Sequence, residues 1–191
     1  MRLSYQHTRY ACYAGYITQA IINNLAPLLF IIFQTSYGLN FEMVGRLILI
    51  NFGTQILADL IAVKFADTFG YRASAVAAHA FSAAGLVLLG ILPQVLASPY
   101  MGLVIAVVVY ALGGGLLEVL VSPIVESLPG DKKASDMSLL HSFYCWGQMG
   151  VVLISTLLLT FLGTDIWMWL PIGWAVLPFA NLFFFMKVPL V

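Results

Sequence analysis

The sequence predicts an all-α membrane protein of six transmembrane helices, laid out as two inverted three-helix repeats. Composition is the first observation behind this. Hydrophobic residues make up 62% of the 191, charged residues 8%, and the mean hydropathy is +0.99. A water-soluble domain carries about 25% charged residues, so an ordinary soluble globule is excluded. Segmentation is the second: six apolar stretches reach the roughly 20 residues a helix needs to cross a bilayer. The third is where the cations fall, which is the same side of every second loop.

The segments follow one another with short connections, as a single transmembrane domain over residues 1–191. Span 1 is expected over roughly residues 10–35, behind Arg2 and Arg9. Its opening resembles a signal-peptide n-region, but Asn23, Asn24 and Pro27 interrupt the apolar run, which reads as a retained helix. Span 2 is expected over about 41–64, after the turn signal "SYGLN". Span 3 covers about 72–92 and follows "DTFGYR". Span 4 covers about 100–127, after "PQVLASP". Span 5 covers about 135–162, after "LPGDKKASD", and span 6 covers about 166–187, after "LGTD".

Arg2, Arg9, Lys64, Arg72, Lys132, Lys133 and Lys187 lie at the N-terminus, the second and fourth loops and the C-terminus. The other loops hold no Lys or Arg, so the positive-inside rule puts both termini in the cytoplasm. Arg46 is the exception, and Glu42 four residues earlier can pair with it on one helix face. A shift of about 96 residues lays spans 1–3 over spans 4–6 and brings Pro27 onto Pro123. An odd number of helices per unit inverts one unit relative to the other, an architecture used by transporters.

Polar residues recur at helical spacing. Gln19 and Asn23 mark span 1, beside Asn24; Asn51, Gln55 and Asp59 mark span 2; Glu118, Ser122 and Glu126 mark span 4. Span 5 carries His141, Tyr144, Cys145, Gln148 and Ser155 on one face. Spans 3 and 6 offer little beyond His79, Ser82, Asn181 and tryptophans. Spans 1, 2, 4 and 5 therefore read as lining a central polar path, with spans 3 and 6 outside. The competing reading is interhelical hydrogen bonding that only holds the bundle, at about 0.6 kcal/mol per contact.

Glu118 stands out among them. An ionised group at mid-bilayer costs on the order of 2.5–3.5 kcal/mol, so such a residue is a functional candidate first and a structural ion pair or neutral acid second. Asp59 lies about one turn from Lys64, which suits a gate salt bridge or a solute contact. Glu126 is expected to meet water or Lys132. Trp167, Trp169 and Trp174 fit an interfacial aromatic belt. Trp146, with Tyr144 and Gln148, suits a sugar ring, which presents C–H faces and hydroxyls; core packing is the alternative. Gly113, Gly114 and Gly115 favour close helix approach and are no phosphate loop, since no Lys-Ser/Thr follows. Cys12 and Cys145 have no metal-ligand spacing and read as small buried apolar groups. No catalytic constellation, cofactor motif or metal site is readable, and zero net charge gives no argument for nucleic acid.

These residues resemble the N-terminal half of a major facilitator superfamily transporter, within it the fucose permease-like branch of sugar–proton symporters. Leu117-Glu118-Val119-Leu120-Val121-Ser122-Pro123 is similar to the branch's Leu-Glu-x-x-x-Asn-Pro in span 4. Asn23, Asn24 and Leu25 match its Asn-Asn-Leu-Asn-Asp in span 1, where Pro27 replaces the Asp taken to carry the proton. The loop signature Gly-x-x-x-Asp-Arg-x-Gly-Arg-Arg persists as Asp67, Gly70 and Arg72, with Val63, Thr68 and Tyr71 at other signature positions. The resemblance implies a bacterial plasma-membrane protein and a sugar-binding role for Glu118.

The expected function is a secondary active transporter, or its N-terminal half, moving a small polar solute such as a sugar. Its site would comprise Glu118, Asn23, Asn24, Gln148, Trp146 and Tyr144, with Asp59, Asp67, Gly70 and Arg72 in gating or structural roles. Such a half is expected to pair with a C-terminal six-helix half or a second copy, within membrane lipid. A non-transporting membrane assembly or binding protein is the alternative, and an intramembrane enzyme ranks last.

Overall fold

Proline and glycine set the breaks in the chain. The computed structural model describes residues 3–191, apart from the side chains of residues 63, 65 and 67. Arg2 and the side chains of Val63 and Asp67, all used in reading the sequence, lie outside the described residues. The helices are α1 (Tyr5–Leu28), α2 (Phe30–Tyr37), α3 (Phe41–Val95), α4 (Pro99–Ser127), α5 (Lys133–Leu162), α6 (Trp169–Trp174) and α7 (Val176–Lys187). Span 1 is α1 with α2, bent by 42°. Pro27 supplies the cause: it has no N–H for the carbonyl of Asn23, and its ring crowds that carbonyl. Spans 2 and 3 are the two arms of α3, divided at Gly70, whose φ of 81° and ψ of 156° are accessible only to glycine. Spans 4 and 5 are α4 and α5, and span 6 is α6 with α7 after a 3-10 turn at Thr164–Ile166. Among the described residues five helices are long and apolar enough to cross a membrane, and the bent pair makes a sixth; several run a few residues longer than the stretches expected.

Local signals fix the helix starts. Asn40 accepts the Met43 N–H at 2.8 Å at the head of span 2, and Ser98 accepts the Met101 N–H at 3.4 Å at the head of span 4. Gly38, at φ 66°, closes α2 in the left-handed conformation.

Span 4 is the hub, because three successive glycines, each turned about 100° from the last, meet three different helices. A Cβ on Gly113 would press on Ala78 and Ser82 of span 3. One on Gly114 would meet Gln19 and Ile22 of span 1, and one on Gly115 would lie 2.6 Å from the Gln55 carbonyl of span 2. Span 1 is the second hub. Gly147 of span 5 approaches Ile17 and Ala20, and Asn181 of span 6 donates to the Ala11 carbonyl at 2.9 Å. So span 4 packs on spans 2 and 3, and span 1 on spans 5 and 6. Exchanging the halves of the chain exchanges these two statements, in keeping with the internal repeat.

Each end of the bundle is tied. At the end holding both termini, Arg9 pairs with Asp136 at 2.8 Å and donates to the Pro129 carbonyl, joining spans 1 and 5 to the loop between spans 4 and 5. Arg72 donates to the Phe185 carbonyl at 2.9 Å, joining span 3 to span 6. At the opposite end Trp167 is 4% exposed and packs edge-on against Phe33 and Tyr37. The aromatic belt expected there is thus corrected for Trp167. It fills the space opened by the bend in span 1, whereas Trp169 is 64% exposed. Trp174 donates its indole N–H to Ser155 at 2.9 Å. Cys12 is buried as expected, but Cys145 is exposed.

Candidate functional site

Four stripes of polar side chains converge where spans 1, 2, 4 and 5 face one another. Gln55 Nε2 donates to Asn23 Oδ1 at 2.8 Å and to Asn51 Oδ1 at 3.0 Å. Asn51 Nδ2 also reaches Asn23 Oδ1, at 3.4 Å. Asn23 passes the chain on by donating from Nδ2 to the Tyr144 hydroxyl at 3.3 Å. Gln19 Nε2 donates both to Gln55 Oε1 at 3.0 Å and to Glu118 Oε2 at 3.2 Å. One turn from Glu118, Ser122 shares a 2.9 Å hydrogen bond with the Tyr16 hydroxyl. The Tyr16 ring stands edge-on to both His141 and Tyr144 of span 5. Buried amides thus lead to a carboxylate that is itself exposed.

This network answers the geometric question posed by the stripes. Asn51 and Gln55 are buried and aim at span 1 and not at lipid. The sequence marked Asn23, Tyr144 and Glu118 as binding residues, and the structure joins them through Gln19 and Gln55. Gln19 was legible as half of the span 1 stripe and Gln55 as the middle of the span 2 stripe. Tyr16 and Ser122 complete the wall, and of these Tyr16 was not singled out. Its signal was its spacing, since it falls on the Asn23 face two turns earlier.

The remaining candidates stand apart from the network. Asn24 turns back to its own helix and donates to the Ala20 carbonyl at 2.8 Å. Trp146, 56% exposed, packs edge-on against Phe143, which stacks on Tyr13 with ring centroids 4.5 Å apart. Gln148 is exposed on the opposite flank of span 5, since two residues along a helix turn about 200°. One face therefore does not hold both Trp146 and Gln148.

Asp59 departs from the salt bridge considered for it. Ion pairs among the described residues are Arg9–Asp136 and the Glu42–Arg46 pair at 2.5 Å, the latter as expected. Asp59 turns toward span 4, where its Oδ1 lies 3.0 Å from the position a Cβ on Gly115 would take. That oxygen is buried and has no hydrogen-bond partner. Helix geometry is the reason: the Asn51–Gln55–Asp59 stripe is one face, and spans 1 and 4 hold it. Asp59 therefore joins Glu118 as an acid within the length of a membrane span, a position the sequence reading gave to Glu118 alone. Gly70 makes the turn and Arg72 the tie already described, both structural positions. Glu126 is exposed and forms no ion pair with Lys132.

Spans 3 and 6 meet over a separate polar contact. His79 donates from Nδ1 to the Ala75 carbonyl at 2.7 Å and accepts from Asn181 Nδ2 at 2.8 Å. It is fully buried and away from the amide network, so this pair ties helices together. Among the described residues no group of three acids, histidines or cysteines could hold a metal ion.

No known family profile and no curated protein matches the chain. Solved structures do. The major facilitator superfamily proton:xylose symporter XylE, bound to 6-bromo-6-deoxy-D-glucose, superposes with a TM-score of 0.85 at 15% identity, over 96% of this chain and 44% of that one. A partially occluded, inward-open form of the Escherichia coli xylose transporter gives 0.87 at 15% identity, over 96% and 50%. An inward-open form of the same transporter gives 0.77 at 18% identity, over 96% and 47%. The chain spans about half the length of these neighbours, between 44% and 50%. Its architecture is that of one six-helix half of the major facilitator fold.

Proposed function

We propose that this chain is one half of a secondary active transporter, carrying a small polar solute across a membrane by alternating access. The observation that carries the reading is the hydrogen-bonded path from Asn51 through Gln55 and Gln19 to the exposed carboxylate of Glu118. A path that ends on an exposed carboxylate within a membrane span has a use for that group, given its insertion cost. A sugar suits it: amides and a carboxylate accept and donate to hydroxyls, and Tyr144 and Tyr16 supply aromatic surface. The neighbours named as xylose symporters support that choice, and so does the Leu117-Glu118 to Pro123 likeness to the fucose permease-like branch. Proton coupling belongs to the same reading. Alternating access needs a second wall, so the partner is a C-terminal six-span half or a second copy. The cation pattern supports cytoplasmic termini, and the family resemblance supports a bacterial plasma membrane.

A membrane assembly in which the network only binds helices is the reading to be separated. Titration with D-xylose and L-fucose of the chain completed by a C-terminal half, as wild type and as Glu118→Gln, separates the two. A charge-assisted hydrogen bond is worth roughly 1.5–3 kcal/mol, so affinity should fall by about one to two orders of magnitude. Equal affinities in the two proteins would reject the binding role and leave Glu118 as a packing residue.

A further inference from the structure

We infer that Asp59 and Glu118 jointly hold one proton between spans 2 and 4, and that this pair is the ion-coupling site of the transporter proposed above. The inference rests on that reading for its function but not for its chemistry. Span 1 contains no Asp or Glu, so no acid there can serve. Asp59 on span 2 lies against Gly115, and Glu118 follows Gly115 by three residues, about 4.5 Å along the same helix. Residues three apart share a helix face, so the Glu118 side chain leaves span 4 on the side that Asp59 packs against. Neither has a cation: the ion pairs among the described residues are elsewhere, at Arg9–Asp136 and Glu42–Arg46.

A second observation points to a missing positive group. Gln19 is 3% exposed, and its Oε1 is buried without a partner. That oxygen lies 3.1 Å from the Cβ position of Gly114, and Asp59 Oδ1 lies 3.0 Å from that of Gly115, the next residue. Two buried acceptors without donors, one of them an oxygen of Asp59 itself, thus flank neighbouring glycines one turn before Glu118. Asp59 holds one oxygen away from water with no donor, and Glu118 adds a second negative charge on the same side; one added proton lessens the repulsion and supplies the missing donor. In the step, one carboxylate takes H⁺ from water and an O–H bond forms; release reverses it. Other titratable groups facing the pair are few. Tyr16 of span 1 bonds Ser122 a turn away, and His141 of span 5 stands against Tyr16. Lys64 is exposed on span 2 and Glu126 is exposed two turns along span 4. A proton fits better than a metal cation, for which no cluster of ligands is present among the described residues.

Infrared difference spectroscopy of the purified chain in nanodiscs tests this through the protonated-carboxyl stretch, identified by its shift in deuterated water. Wild type should show the band at pH 6, above the ordinary range of carboxyls, and lose it by pH 8. Asp59→Asn and Glu118→Gln should each cut it by more than half, and Lys64→Gln should leave it unchanged. Circular dichroism must show native helix content for each variant counted. A wild-type spectrum without the band overturns the inference with no variant needed. So does either single acid variant retaining the full band, since one acid would then suffice. Loss of the band when choline is replaced by sodium would make the ion sodium and also overturn it. No solute is added, so absence of sugar binding leaves this result standing and sinks only the transport reading.

Discussion

Replacing Gly115 by alanine should loosen the contact that sets the carboxylate site. The new Cβ would lie 2.6 Å from the Gln55 carbonyl oxygen, 2.7 Å from Ala58 Cβ and 3.0 Å from Asp59 Oδ1. Carbon contacts are comfortable at about 3.5–4.0 Å, so spans 2 and 4 must separate by close to an ångström. A backbone carbonyl cannot rotate away as a side chain can. Overpacking of this kind costs about 1–3 kcal/mol. Gly150 is the internal control: it is also mid-helix, and a Cβ there meets nothing within 4 Å. Alanine at that position should be neutral or should stabilise by roughly 0.5–1 kcal/mol through helix propensity. At about 2–4 °C per kcal/mol for a chain of this size, Gly115→Ala should lower the Tm by about 2–12 °C while Gly150→Ala leaves it level or raises it. Thermal unfolding in detergent, followed by a thiol-reactive dye that reaches buried Cys12 on opening, reads both. A Gly115→Ala protein as stable as Gly150→Ala would refute the hub role given to span 4.

Three other outcomes follow from the same structure. Gln55→Leu removes the donor to Asn23 and Asn51 and the acceptor for Gln19. It should cost about 1–3 kcal/mol through the polar groups left unpaired, and a denaturation midpoint equal to wild type would count against the network. Arg9 and Asp136, with side chains 18% and 21% exposed, should show a coupling of about 1 kcal/mol in a double-mutant cycle of Arg9→Ala and Asp136→Asn, and additive effects would remove the tie from the account. A cysteine at Asp131 should react with an impermeant maleimide only from the cytoplasmic side, and labelling only from outside would invert the topology.

The six spans and their order were legible because hydropathy and helical period are local properties of the chain. The same is true of the stripes: Asn51, Gln55 and Asp59 share a face wherever span 2 is placed, and Gln19 and Asn23 share one on span 1. Gly70 and Pro27 marked their breaks for a similar reason, since each restricts its own backbone. What a stripe meets is another matter, because that depends on the rotation of each helix about its axis relative to its neighbours. Asp59 could be paired with Lys64 along the sequence, yet packing turns it to Gly115 and leaves its Oδ1 without a donor. Trp167 reads as an interfacial residue by composition and is buried because the 42° bend in span 1 brings Phe33 and Tyr37 to it. Trp146 and Gln148 are neighbours in "HSFYCWGQ" but look to opposite flanks, as any two helical residues two apart must. The sequence by itself thus determined which side chains travel together on each helix. Only the tertiary structure decided which helices they join, because three glycines in a row let span 4 touch spans 3, 1 and 2 in turn, while Gly147 brings span 5 onto span 1.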